Sequence, residues 1–156
     1  LICTCLTRSV KETVELGKSI GNSLTRGAIV ILEGNLGCGK TALARGIAIS
    51  LGIPEDEISS PSFSIVHEYD NLIHIDLYRV DEKSLHDIGI EELLEDDERV
   101  KVIEWIKGIE IDKSRFQVIK VNCEFKSENE RVFKIEDSGG AVCRKLKNSG
   151  RLICQE

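Results

Sequence analysis

Hydrophobic positions along the chain fall into short runs of distinct period. Val10, Thr13, Val14, Leu16, Gly17 and Ile20 recur near helical spacing, and Ser9 with Glu12 supplies the S-x-x-E capping box ahead of them. A first helix is expected there. Ala28 to Leu32 is an unbroken, largely β-branched run, the pattern of a strand buried on both faces, and it feeds directly into Gly34. Thr41 to Leu51 then reads as a helix, with Gly52 just past its end and Pro54 beyond. The order is strand, glycine loop, helix.

Phe63 to Tyr69 and Leu72 to Tyr78 are strand-like runs separated by Asp70 and Asn71, residues suited to a tight hairpin turn. In the second run Ile73, Ile75 and Leu77 alternate with His74, Asp76 and Tyr78, so the three polar groups share one face and the other face is core. Ser84 to Asp97 predicts one or two short helices interrupted at Gly89, and Val100 to Trp105 a strand ending in Glu104. Gln117 to Phe125 and Arg131 to Ile135 are two further strands about a polar turn. With no repeat and no low-complexity linker, residues 1–156 read as one three-layer α/β domain whose mixed sheet joins hairpins to a strand–helix crossover.

Composition narrows the class. A chain of 156 residues buries roughly two-thirds of its unfolded surface, enough for one core. The apolar share of 41% and charged share of 31% are those of a globular protein rather than a disordered one. No apolar run approaches the roughly 20 residues that span a bilayer, so no membrane segment is expected. The chain opens without Met and without a basic leader, which leaves its true start open upstream. A net charge of −6 argues against a protein whose main task is coating nucleic acid. Arg144, Lys145, Lys147 and Arg151 gather late in the chain and Glu91, Glu92, Glu95, Asp96, Asp97 and Glu98 form an acidic block; each is a docking surface or, more commonly for such runs, a solvated face. Cys3, Cys5, Cys38, Cys123, Cys143 and Cys154 lack the paired spacing of a zinc site and read as reduced, cytosolic thiols, with Cys3 and Cys5 on a strand.

The strongest chemical signal is Gly34-Asn35-Leu36-Gly37-Cys38-Gly39-Lys40-Thr41, which satisfies G-x-x-x-x-G-K-[ST] between a buried strand and a helix. Glycines let the backbone wrap a phosphate, while its N–H groups and the helix N-terminus offer partial positive charge. Lys40 would neutralise the β- and γ-phosphates of ATP, and Thr41 would offer its hydroxyl to Mg2+. For Cys38, beside that helix end and Lys40, two readings stand equally: a reactive thiolate, or an inert side chain packed under the loop. Ser60-Pro61-Ser62, His74-x-Asp76-x-Tyr78-Arg79 and Glu104-Trp105 carry polar groups near strand ends, where ligands of open α/β sheets lie. Asp76 and Glu104 are therefore candidates for holding metal or orienting water, and His74 a weaker one. The loop by itself does not separate an ATPase, a small-molecule kinase and a nucleotide-gated binding module.

Taken in order, the Thr7 to Gly17 entry, GNLGCGKT, SPSF, HIDLYR, the Leu85 to Gly89 helix end and Glu104-Trp105 resemble the TsaE family, also called YjeE, over nearly the whole chain. This family is the small ATPase of bacterial tRNA threonylcarbamoyladenosine synthesis. The resemblance implies a P-loop NTPase fold with a mixed, mostly parallel sheet and an antiparallel hairpin. It implies a cytoplasmic, Mg-dependent ATPase, slow alone and stimulated by partners. Lys40, Asp76 and Glu104 take catalytic roles; Gly34, Asn35, Leu36, Gly37, Cys38, Gly39, Lys40, Thr41, Ser62, Trp105 and Arg131 contact the nucleotide; Thr41 and Glu104 bind the metal. Asn35 stands where the family usually has Asp, and Ser62 where it has Thr; each keeps the required group, and metal affinity or rate would be tuned. The implied partners are TsaB and TsaD, with tRNA reached indirectly through that complex, which fits the acidic net charge. A kinase would need an arginine-bearing lid, for which only Arg79 and scattered residues offer themselves; a nucleotide-sensing module without significant turnover is the other alternative.

Overall fold

Ser9 starts the first helix, α1 (Val10–Gly21), as its capping pattern predicts: the Ser9 hydroxyl accepts the Glu12 N–H at 3.1 Å. The reciprocal arm lands one residue early, since the Glu12 carboxylate accepts the Arg8 N–H at 2.9 Å. The structure, a computed structural model, describes residues 1–58, 65–150 and 152–155. Strands β1 (Ile2–Thr7), β2 (Ile29–Gly34), β3 (Val66–Glu68), β4 (Leu72–Asp76), β5 (Val100–Glu104), β6 (Val118–Phe125), β7 (Arg131–Asp137) and β8 (Ile153–Gln155) form one sheet in the order β3-β4-β5-β2-β6-β7-β1-β8.

The four central strands β4, β5, β2 and β6 run parallel, and both margins are antiparallel. The sheet is mixed as expected, with more antiparallel pairing than a mostly parallel sheet would carry. Short connections explain this: β3 to β4 and β6 to β7 are joined by turns too short for a parallel crossover. The hairpin about Asp70 and Asn71 is present, with His67 opposite His74.

Alternation along the central strands builds a core on each face. Val30, Leu32, Val102 and Val121 face α1, α2 (Lys40–Ser50) and α5 (Ala141–Ser149). Ile29, Ile31, Ile73, Ile75 and Ile103 face α3 (Leu85–Ile88) and α4 (Ile90–Leu94), whose break is Gly89 at φ 74°. Three layers result, as expected for this pattern. The polar face of β4 is the exception to the simple alternation, because His74 on that face is only 5% exposed and lies inside the fold.

Helices α1 and α2 touch backbone to backbone through glycines. A Cβ on Gly17 would stand 2.2 Å from the Leu43 carbonyl oxygen, and one on Gly46 would stand 2.1 Å from that of Val14. This contact fixes the helix that begins at Lys40 against the helix that begins at Ser9.

The cysteines differ from the reduced-thiol expectation. Cys3 is bonded to Cys143 and Cys5 to Cys154, while Cys38 and Cys123 are free and buried. Spacing rules look for cysteines close in sequence; these partners are 140 and 149 residues apart and meet only because β1 lies beside β8 and under α5. Among the described residues no helix is long and apolar enough to cross a membrane.

Candidate functional site

Strand β2 ends at Gly34, and the chain loops through residues 35–39 into α2. Gly34 has φ 133°, and a Cβ there would lie 2.5 Å from the Cys123 carbonyl oxygen and 2.8 Å from the Cys38 sulfur, so only glycine fits. Asn35, Leu36 and Gly37 form an exposed crest, and Gly39, at φ 122°, sets the first turn of the helix. Thr41 is exposed on that turn.

Lys40 is 5% exposed. Its ammonium group donates to the Gly34 carbonyl and stands 3.6 Å from the centre of the Trp105 ring, a cation–π contact. Trp105 follows the last residue of β5 and is the one non-glycine residue with positive φ, 61°, among the described residues. Strain of this kind concentrates at ligand sites. The Tyr78 ring leans on Trp105 with centroids 4.9 Å apart.

Parallel pairing of β4 with β5 puts Asp76 opposite Glu104. Glu104 is buried, and its Oε2 is 2.7 Å from Nε2 of buried His74. Asp76 is half-buried and accepts the Tyr78 N–H at 2.9 Å. Burial pushes its carboxyl above the ordinary value of 3.8; the Tyr78 hydrogen bond opposes this, the Glu104 charge adds to it, and His74 and Lys40 oppose it more weakly. Lys40, Asp76, Glu104 and Trp105, read separately from the sequence, therefore gather at one place.

A cleft of about 690 Å³ opens beside them at the carboxyl ends of β5, β2 and β6, lined by residues including Gly34, Asn35, Trp105, Asn122 and Phe125. Parallel strands flank β2 on both sides and the connections leave it in both directions, the topology that places ligands in open α/β sheets.

Other candidates fare differently. Ser62 and the rest of its segment lie outside the described residues. Arg131 is engaged at the β6–β7 turn: Nη1 donates to the carbonyls of Ser127, Glu128 and Glu130 at 3.0–3.1 Å, and its guanidinium lies 4.3 Å from the Phe125 ring. It reaches the cleft through that ring rather than directly. Cys38 is 1% exposed and packed under the loop, a position that does not by itself make the thiol inert. His74 was undervalued by the sequence; its place two residues before Asp76, on the same strand face, was the available signal. Cys123 had no signal, because its proximity to the loop is set by strand order.

A family model described as threonylcarbamoyl adenosine biosynthesis protein TsaE matches residues 7–133. Proteins named tRNA threonylcarbamoyladenosine biosynthesis protein TsaE are similar to this chain in several organisms. The one from Treponema pallidum is 39% identical over 105 residues, covering 65% of this chain and 76% of that protein. The one from Nostoc is 33% identical over 132 residues, 80% of each. Among solved structures, Bacillus subtilis YdiB superposes with a TM-score of 0.72 over 96% of both chains at 23% identity, a likeness of fold. All four disulfide cysteines lie outside the matched 7–133.

Proposed function

The chain belongs to the TsaE family, and on that footing we propose that it binds Mg-ATP in the loop 34–41 and hydrolyses it to ADP and phosphate. In this reading it serves tRNA threonylcarbamoyladenosine synthesis as the energising partner of TsaB and TsaD, touching tRNA only through their complex. A cytoplasmic site of action then follows from the tRNA substrate, not from the cysteines.

The observation that carries the reading is the meeting of the Lys40 ammonium, Asp76 and buried Glu104 at the carboxyl ends of adjacent parallel strands. Lys40 would leave the Gly34 carbonyl for the β- and γ-phosphates, while backbone N–H groups of the loop cradle them. Glu104, held through one oxygen by His74, presents its other oxygen in a fixed direction. Asp76 stands beside it to orient a water. In the reaction a water oxygen bonds to the γ-phosphorus as the bond to the β-phosphate oxygen breaks, giving ADP and phosphate.

The donors present suit Mg2+. Among the described residues no three His, Cys, Asp or Glu side chains converge as a metal cage. Mg2+ does not require one, since it keeps several waters and takes one or two protein oxygens together with phosphate. Thr41 and Glu104 are hard oxygen donors of that kind. Bound there, the ion would neutralise charge on the β- and γ-phosphate oxygens.

Titration calorimetry tests the binding step. Mg-ATP should bind the folded chain, and Lys40→Ala should weaken binding at least about tenfold, the loss expected of a charge-assisted contact. Equal affinity in a folded variant would make the loop a structural turn.

A further inference from the structure

Cys123 reaches the loop from β6, where it is the register partner of Gly34. Its thiol donates to the Cys38 carbonyl at 2.6 Å and also faces the Cys38 sulfur. The point where a Gly34 Cβ would stand is 2.8 Å from the Cys38 sulfur and 3.2 Å from the Cys123 Cβ, so both side chains crowd one hollow beneath the loop. A Cβ on Gly39 would lie 3.7 Å from the Cys123 sulfur. The proposed phosphate loop is thus seated on two thiols, and these are the two cysteines left free when the other four are bonded.

We propose that Cys38 and Cys123 are a redox modification site, which peroxide converts to a disulfide that ties the loop to β6 and excludes nucleotide. The gating half of this rests on the loop being the ATP site; the disulfide itself does not. The chemistry needs one nucleophilic thiol and one neighbour to resolve it. Cys38 is the nucleophile: the hydrogen bond from the Cys123 thiol, and then the Lys40 charge, offset its burial and hold its pKa down at about 7. Cys123 is the resolving thiol, and its own pKa is pushed up by its hydrogen bond to Cys38 and by burial.

The steps balance. The Cys38 thiolate attacks one oxygen of hydrogen peroxide, the O–O bond breaks, and hydroxide leaves to become water, giving a sulfenic acid. The Cys123 sulfur then displaces the sulfenic hydroxyl, which takes the Cys123 proton and leaves as a second water. Two thiols and one peroxide become one disulfide and two waters. Closing from thiol contact to a bond of about 2.05 Å requires a movement of roughly 1–2 Å, small for a loop with three positive-φ glycines. Once made, the bond would hold the Cys38 carbonyl and the following N–H groups on β6 instead of around a phosphate.

Burial also predicts protection by ligand. Cys38 and Cys123 are 1% and 3% exposed, so peroxide arrives when the loop lifts, and a phosphate chain bound across the loop would hold it down.

Peptide mapping under non-reducing conditions after graded hydrogen peroxide tests this, alongside binding of a fluorescent ATP analogue before and after. The expected result is a linked peptide joining Cys38 to Cys123, formed more slowly when Mg-ATP is present. Analogue affinity should fall at least about tenfold with it and return on treatment with dithiothreitol. In Cys123→Ser, dimedone should trap a Cys38 sulfenic acid and no linked peptide should form. Absence of the linked peptide in a wild-type chain that binds the analogue would overturn the proposal while leaving the ATP site intact. A linked peptide with unchanged affinity would overturn the gating. A reduced chain that never binds the analogue would refute the ATP site and the gating with it, and the linked peptide alone would then decide the disulfide.

Discussion

Lys40 is held by a carbonyl dipole and an aromatic face, both weaker partners for an ammonium group than a triphosphate. Nucleotide should therefore draw Lys40 away from Trp105, the chain's sole tryptophan, and its emission should change on adding Mg-ATP. A spectrum unchanged at saturating nucleotide would contradict that placement. Asp76 gives a second test, through pH. Its folded pKa is raised, so its unfavourable burial is absent below the unfolded value near 3.8 and stability is lost as pH rises through the folded value. Asp76→Asn, melted without nucleotide or metal, should exceed the wild type in Tm at pH 7, and the gap should close on acidification towards pH 4. The same variant should lose turnover. An equal gap at both pH values would remove burial as the cause of the shift. At this scale the sequence was largely legible: Lys40, Asp76, Glu104 and Trp105 each carried a motif or strand-end signal. His74 and Cys123 were not, because a buried polar pair or a thiol contact depends on which strands become neighbours.

Among elements, the contact between α1 and α2 is what seats the loop's helix. The Gly17 and Gly46 backbones approach too closely for a side chain on either. Gly46→Val should cost about 1–3 kcal/mol through overpacking, read as a lower denaturation midpoint with an unchanged slope. A midpoint equal to the wild type would mean the helices part without cost. The pairing of β4 with β5 matters in another way, because it sets Asp76 beside Glu104 and lets His74 hold the Glu104 carboxylate. His74→Ala would leave a buried carboxylate without that partner, and turnover should fall more than nucleotide affinity. Equal loss in both would assign His74 to packing alone. Helices α1 and α2, the hairpin and the break at Gly89 were all legible from period, caps and turn residues. The short β8 and the helix α5 were not: three residues make a weak strand signal, and the basic run of α5 reads as a solvated face until Val142, Cys143 and Leu146 are seen to pack inward.

For the whole molecule, two disulfides join β1 to α5 and β8 and so close nearly the full length of the chain. Loops of 140 and 149 residues carry a large entropy in the unfolded state, worth about 5 kcal/mol for the first closure and less for the second, whose span overlaps the first almost completely. Reduction should lower Tm by roughly 10 °C, and a thiol titration of the denatured, unreduced chain should count two of the six cysteines. An unchanged Tm would mean these bonds do not hold the fold together. Three layers and a mixed sheet were legible from the order of runs, whereas the antiparallel margins and the covalent seam required the tertiary arrangement itself. We propose that the loop and the Asp76–Glu104 pair hydrolyse ATP in the service of tRNA modification. Phosphate release from Mg-ATP, measured with this chain alone and then with TsaB and TsaD added, tests it most directly. The expected result is slow release that rises with the partners and disappears in Glu104→Ala; release at the blank rate with partners present and ATP bound would contradict it.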